Sequence, residues 1–232
     1  MLDRISKIFA EVRKDKRKSL LETEAKTVCM ECGIPVTLFK LAKNETEAVD
    51  LAEKMGFPVV LKIVSPDIIH KSDVGGVVID LKNAENVKKA YKQILHNVRK
   101  YKSDARIVGI LVQEMAEPST EVIVGAIKDP QFGPSIMFGL GGIFVEVLKD
   151  VTFRVAPVAE DEAREMITEV KAYPLLKGYR NTPPADIDAI VKILLSTSKL
   201  VMEYQEINEL DLNPIMVYEK GAKTVDARII LE

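Results

Sequence analysis

The sequence predicts an α+β fold built from two small lobes, and three observations carry that reading. Segments with strand-like apolar runs and segments with helical spacing intermix along the chain, without the regular βαβαβ order of a doubly wound sheet. Neither G-x-G-x-x-G nor G-x-x-x-x-G-K-[ST] occurs, which disfavours a Rossmann or P-loop phosphate site. The length of 232 residues fits one large domain or two small ones.

Composition narrows the classes further. With 47% hydrophobic and 29% charged residues the chain can bury a sizeable core and is not disordered. Lys and Arg number 33 against 35 acids, so no global field draws it to nucleic acid or to an anionic membrane, and neither is expected as a partner. The longest apolar stretch, 136–145, is interrupted by Gly139, Gly141 and Gly142 and falls short of the roughly 18 residues of a membrane helix. The N-terminal run MLDRISKIFAEVRKDKRK is charged throughout and has no signal-peptide apolar core, so a cytoplasmic location is expected. Cys29 and Cys32 form a C-x-x-C, but they end a helical pattern closed by Gly33 and follow no strand, so a redox motif is disfavoured. Two histidines do not support a four-ligand zinc site.

In chain order, residues 1–32 read as helical, and the basic run 13–18 reads as a solvated face. Asn44 with Glu47 starts a helix that Gly56 ends, and Val59–Val64 is a β-branched run suited to a buried strand. Residues 75–81 form the next strand. From Asn83, the residues Val87, Ala90, Tyr91, Ile94 and Val98 recur at the helical period, with His96 off the stripe and given no role. Strands follow at 107–113 and 121–127, on either side of Glu117-Pro118-Ser119. Turns at Asp129-Pro130 and Gly133-Pro134 precede strands near 135–138 and 144–147. Helices are expected at 160–170 and 186–204, and short strands around 207–212, 215–218 and 224–227.

Four places hold polar groups that strand packing alone does not ask for. Lys62 lies in the otherwise apolar VVLKIV, so it either reaches solvent or enters a cleft. The connection SPDIIHKSDVGG carries His70, Lys71, Gly75 and Gly76, and its glycines let backbone approach a phosphate closely. Gln113-Glu114-Met115, followed by Glu121, sits where a hinge between lobes is natural. Asp211 and Asn213 share a strand face at i and i+2, and Asp226 can join them from a second strand. Such oxygens suit Mg²⁺, although turn residues before Pro214 account for the pair equally well.

A strand lysine, a glycine-containing loop, a hinge glutamate, a second glutamate and a C-terminal oxygen cluster occur in the order of the ATP-grasp fold, which this chain resembles. More narrowly, PVVLKIVSPDIIHKSDVGGV, LVQEM, TEVIVGAIKDPQFGP, FGLGGIFVEVLKDVTFRVAP and ELDLNPI…VDAR resemble the β subunit of ADP-forming acetyl-CoA synthetase, related to succinyl-CoA synthetase. The similarity spans residues 15–230. It implies two small α+β lobes with the nucleotide between them: residues 1–112, an N-terminal helical segment with the first lobe, and 113–232, a second lobe with the metal site. Separate subunits of this size are typical of archaea.

By that resemblance, Lys62 contacts the nucleotide phosphates, and Lys71, Gly75 and Gly76 belong to the loop over them. Glu114 lies at the adenine, Glu121 at the ribose hydroxyls, and Asn213 and Asp226, with Asp211 as a third participant, at Mg²⁺. His70 carries phosphate in a relay; a neutral imidazole can serve as nucleophile. Asp73 or a carboxylate of a partner chain is its candidate orienting group. Residues 139–150, with Glu146, read equally as a site corner or as Gly-rich packing and receive no assigned role.

The implied reaction is acyl-CoA + ADP + phosphate = acid + ATP + CoA, with ATP and ADP as substrates. The CoA site and a phosphorylated histidine are expected on an α subunit, in an α2β2 heterotetramer. Two other readings remain open: a carboxylate–amine ligase subunit, which needs no loop histidine, and a nucleotide-sensing regulatory module, which needs no metal pair.

Overall fold

The computed structural model describes residues 3–142, 145, 148–179 and 183–232. The chain divides into two compact units. One comprises Leu21–Thr23 and Thr37–Ala116, and the other Met1–Leu20, Glu24–Val36 and Glu117–Glu232.

In the smaller unit, α3 (Glu45–Met55) and α4 (Ala84–Tyr101) pack with an antiparallel sheet. The sheet's four strands are β1 (Phe39–Ala42), β2 (Val59–Val64), β3 (Val77–Leu81) and β4 (Gly109–Glu114), in the order β1-β4-β2-β3. Both helix starts are written in the sequence. Asn44 accepts from the Glu47 N–H at 2.9 Å while Glu47 reaches back to the Lys43 N–H at 2.7 Å, and Asn83 accepts from the Asn86 N–H at 2.9 Å. Gly56 ends α3 at φ +90°, a conformation that L side chains rarely adopt. The α4 stripe Val87, Ala90, Tyr91, Ile94 and Val98 is buried as its spacing requires, in a cluster with Val59, Leu61 and Ile63. Each Val, Leu and Ile among them contributes roughly 1.5–3 kcal/mol on burial. Because strand side chains alternate, Lys62 points to the opposite face from Leu61 and Ile63.

The larger unit holds a six-stranded antiparallel sheet in the order β10-β8-β5-β6-β7, with β9 also paired to β8. Its strands are β5 (Thr120–Asp129), β6 (Gly133–Leu140), β7 (Val151–Val155), β8 (Ile207–Val217), β9 (Ala222–Thr224) and β10 (Ala227–Leu231). Helices α5 (Glu160–Glu169), α6 (Tyr173–Leu176) and α7 (Ile187–Glu203) accompany it, with α1 (Arg4–Lys14) and most of α2 (Glu22–Glu31). Buried residues of β5, β6 and β8 and of α5 and α7 form one core cluster. No helix among the described residues is long and apolar enough to cross a membrane.

The grouping of the N-terminus differs from the sequence-based division at 112/113, which placed the helical segment with the first lobe. Ile5, Phe9 and Val12 of α1 are buried in the core of the larger unit. The Phe9 ring meets Tyr204 edge-on with centroids 5.7 Å apart, and Tyr204 Oη donates to Asp3 at 3.1 Å. Leu20 N donates to the Ile229 carbonyl at 3.0 Å, tying the following segment to β10. An amphipathic helix docks wherever its apolar face is buried, and sequence position does not specify where.

Other differences are local. β1 and β7, both edge strands, were not anticipated, because short half-exposed strands leave little periodic signal. The strands expected at 207–212 and 215–218 are one, β8, running through the cis Asn213–Pro214 bond. Of the strand expected at 144–147, Phe144, Glu146 and Val147 lie outside the described residues.

Candidate functional site

In the smaller unit, β2 positions Lys62 between β3 and β4, opposite Val77 and Leu111. The Lys62 side chain is 6% exposed, and its ammonium donates to Glu22 Oε1 at 2.7 Å. The Lys71 ammonium lies 2.7 Å from Glu22 Oε2. Glu22, the first residue of α2, has a side chain only 1% exposed, so one buried carboxylate gathers two lysines from distant parts of the chain. An ionised acid at that depth requires opposite charge beside it, and the lysines supply it.

The loop carrying His70 is anchored at both ends. Near its start, the Asp67 carboxylate accepts from the Arg106 N–H at 2.6 Å and pairs with Lys102 at 3.4 Å, and these contacts hold its carboxyl below the usual carboxylate range. At its end, Gly75 has φ +64° and its carbonyl accepts from Asn97 Nδ2 at 3.1 Å. Gly76 N donates to the Lys71 carbonyl at 2.7 Å, and the Gly76 carbonyl accepts from Ile63 N at 2.7 Å. A Cβ on Gly76 would stand 2.6 Å from Ile63 Cγ2 and 2.9 Å from the Lys71 carbonyl oxygen, so only glycine closes the loop onto β2. Between these anchors His70 and Asp73 are exposed, and among the described residues neither makes a hydrogen bond or ion pair. Asp73 therefore does not orient His70 here.

Glu114 ends β4. Its carboxylate accepts from Leu38 N at 2.8 Å while its own N–H donates to the Leu38 carbonyl at 3.0 Å, so this acid secures the segment entering β1.

In the larger unit, Glu121 is exposed near the start of β5. Gly141 N donates to its carbonyl at 2.8 Å, and a Cβ on Gly141 would come within 2.8 Å of Glu121 Cβ. A Cβ on Gly139 would likewise stand 2.9 Å from Val151 Cγ1, so close packing accounts for these two glycines of the 139–150 segment; Glu146 lies outside the described residues.

The C-terminal oxygens converge across the β8–β10 pair. Asp211 and Asn213 share a face of β8, Arg228 of β10 lies opposite Asp211, and Asn213 N donates to the Asp226 carbonyl at 3.2 Å. Burial pushes the Asp211 carboxyl above the usual range; Arg228 opposes the shift, and Asp226 and Glu209 add to it. A buried acid pushed up in part by a neighbouring acid, with a carboxamide alongside, fits a hard divalent cation, which relieves that repulsion. Among the described residues no group of three or more His, Cys, Asp or Glu could hold a metal ion, so the carboxylates there would be joined by the Asn213 amide.

The structure thus gathers Lys62, Lys71, Gly75 and Gly76 with Glu22, and gathers Asp211, Asn213 and Asp226. Glu22 is the residue that sequence reading missed. It stands 40 positions from Lys62, and a single glutamate opening a helix carries no local signal of its partners. Burial raises the Cys29 thiol to about 12 and the Cys32 thiol to about 11, the opposite of the lowered thiol a redox-active pair uses.

An α+β unit presenting a strand lysine and a glycine-closed loop, and a second presenting oxygen donors on paired strands, is the make-up of the ATP-grasp class. The family described as ATP-grasp domain matches residues 11–231, as the resemblance implied. The chain is 51% identical over 232 residues to the acetate–CoA ligase [ADP-forming] I subunit beta of Pyrococcus furiosus, covering 99% of this chain and 100% of that one. It matches the dinucleotide-forming acetyl-coenzyme A synthetase 1 of Candidatus Korarchaeum cryptofilum, solved with coenzyme A, Ca-AMPCP and HgCl⁺, with TM-score 0.96 at 54% identity over 97% of this chain and 99% of that chain. A structure of the same enzyme with coenzyme A and Mg-AMPPCP, its phosphohistidine segment pointing towards the nucleotide binding site, matches with TM-score 0.87 at 50% identity over 98% of this chain and 100% of that chain. The chain belongs to the family of beta subunits of ADP-forming acetate–CoA ligases.

Proposed function

We propose that this chain is the nucleotide-binding subunit of an ADP-forming acyl-CoA synthetase and, with an α subunit, catalyses acyl-CoA + ADP + phosphate = acid + ATP + CoA. The observation that carries the reading is similarity over essentially the whole chain to a ligase β subunit. The lysine-bearing loop fits it, because phosphoryl transfer depends on positive charge and N–H donors set around the transferring oxygens.

Lys62 and Lys71 neutralise charge on the phosphates, and Gly75 and Gly76 let the loop close over them. Glu114 and Glu121 serve the adenine and ribose sides. Asp211, Asn213 and Asp226 hold Mg²⁺, which shields the phosphate charge when bound. The α subunit brings the CoA site and a phosphorylated histidine, in an α2β2 assembly. His70 is exposed, as a relay group must be. Its imidazole nitrogen attacks phosphorus; an N–P bond forms as the partner's N–P bond breaks, and the partner imidazole leaves with the electron pair. A terminal β-phosphate oxygen of ADP then attacks, giving ATP and releasing His70. Two such steps let separate sites share one phosphoryl group.

The test is labelling of the assembled complex with γ-labelled Mg·ATP, comparing wild type with His70→Ala. Acid-labile label on this chain that disappears in the variant, together with loss of ATP formation from acetyl-CoA, supports the relay. Equal labelling of both proteins, or an active complex whose β chain never carries label, removes His70 from the path. A wild-type complex that binds nucleotide yet makes no ATP from any acyl-CoA overturns the ligase reading in favour of a regulatory module.

A further inference from the structure

We propose that Glu22 is a positioning residue: its buried carboxylate holds the Lys62 and Lys71 ammonium groups together on the phosphoryl group being transferred. The inference rests on the nucleotide-binding reading above, and it concerns a residue that contacts no substrate in that scheme. Its basis is the geometry of the three charges. Both ammonium groups lie 2.7 Å from one carboxylate, one at each oxygen. Two cations brought that close repel unless an anion stands between them, and the repulsion is strong where water is excluded.

The two lysines also differ in what fixes them. Lys62 sits on β2, paired on both sides, so its stem is rigid. Lys71 belongs to a loop; its carbonyl is held by Gly76 N, and its ammonium is referenced to β2 through Glu22. Loss of the Glu22 charge removes the contact that ties the loop lysine to the buried carboxylate, while the strand lysine stays in place. A terminal phosphoryl group that needs both cations then loses one, whereas the inner phosphates do not need the pair. A buried acid with two lysines is also costly to desolvate, and replacing such a group with apolar residues of similar volume is often neutral or stabilising. Packing alone therefore gives no reason for this arrangement.

The experiment compares wild type, Glu22→Gln, Lys71→Ala and the double variant, each assembled with the α subunit. Glu22→Gln is expected to lower kcat for ATP formation about tenfold or more while KM for ADP stays within about threefold, since the lost interaction acts on the transferring group. Binding of Mg-AMPPCP, which carries a third phosphoryl group, should weaken about tenfold, and binding of Mg-ADP should change by less than about threefold. In the Lys71→Ala background the Gln substitution should add less than about twofold to either loss, because its target is already gone. Glu22→Asp, which restores the charge, should recover part of the loss. Equal losses in both backgrounds, or equal weakening of Mg-ADP and Mg-AMPPCP, would overturn the inference and leave Glu22 a structural ion pair. Binding decides the matter even if the wild-type complex makes no ATP, an outcome that sinks the ligase reading alone.

Discussion

Gly76 takes its role from two neighbours, the Ile63 side chain and the Lys71 carbonyl, which leave no room for a Cβ. Gly76→Ala must push either the β2 core or the loop backbone, and overpacking of this kind typically costs about 1–3 kcal/mol. The denaturation midpoint should fall accordingly, and ATP formation should fall further than stability alone explains, because one of the two atoms in the way is the Lys71 carbonyl oxygen. An unchanged midpoint would show that the loop relaxes freely. At this scale the sequence was informative wherever a residue contradicted its local pattern: Lys62 in an apolar strand, and Gly75-Gly76 after a lysine. It was silent on Glu22, whose meaning depends wholly on groups 40 and 49 positions away. It also left Glu114 with an expected place at the nucleotide and no hint that its carboxylate holds Leu38.

Among the elements, α7 has its start secured by one side chain that serves two segments. The Asp186 carboxylate accepts from the Gly221 N–H at 2.7 Å and from the Ala189 N–H at 3.0 Å, capping α7 and pinning the turn before β9. Those N–H groups, Gly221 first, hold its carboxyl below the usual carboxylate range. A depressed folded-state value means the stabilisation is present above the unfolded-state pKa, near 3.9, and is lost as pH falls through the folded value. Asp186→Ala should therefore cost about 1 kcal/mol at neutral pH. The gap in melting temperature from wild type should stay constant down to about pH 5 and narrow below about pH 4. A gap independent of pH would assign the loss to packing instead. Element type was largely legible: caps at Asn44 and Asn83, the stripe of α4 and the full extent of β2 follow from spacing alone. The continuity of β8 was not, because Asn213-Pro214 reads as a turn until the chain is seen to pass through it by a cis bond.

At the level of the whole molecule, the C-terminal oxygens make sense only as products of strand register. Asp211 and Asn213 are neighbours in sequence, but Asp226 reaches them because β10 pairs antiparallel with β8, Ala227 opposite Leu212 and Arg228 opposite Asp211. If they hold Mg²⁺ for the nucleotide, Asp226→Ala in the assembled complex should raise the Mg²⁺ needed for half-maximal ATP formation about tenfold or more. Activity should be substantially recovered at saturating Mg²⁺. A rate that stays low at every Mg²⁺ concentration would move Asp226 from metal binding to the packing of β10.

The sequence by itself determined the α+β class, most element positions, the absence of dinucleotide and P-loop motifs, and the family resemblance carried by short ordered motifs. These are local properties: periodicity, capping and turn chemistry act within a few residues, and motif order is read along the chain. The tertiary structure alone decided that α1 and most of α2 join the core of the C-terminal half, that Glu22 collects Lys62 and Lys71, and that Asp226 faces Asn213. Each is a contact across tens of residues or more, set by which apolar faces bury against one another and in which register strands pair, and no local pattern encodes that choice.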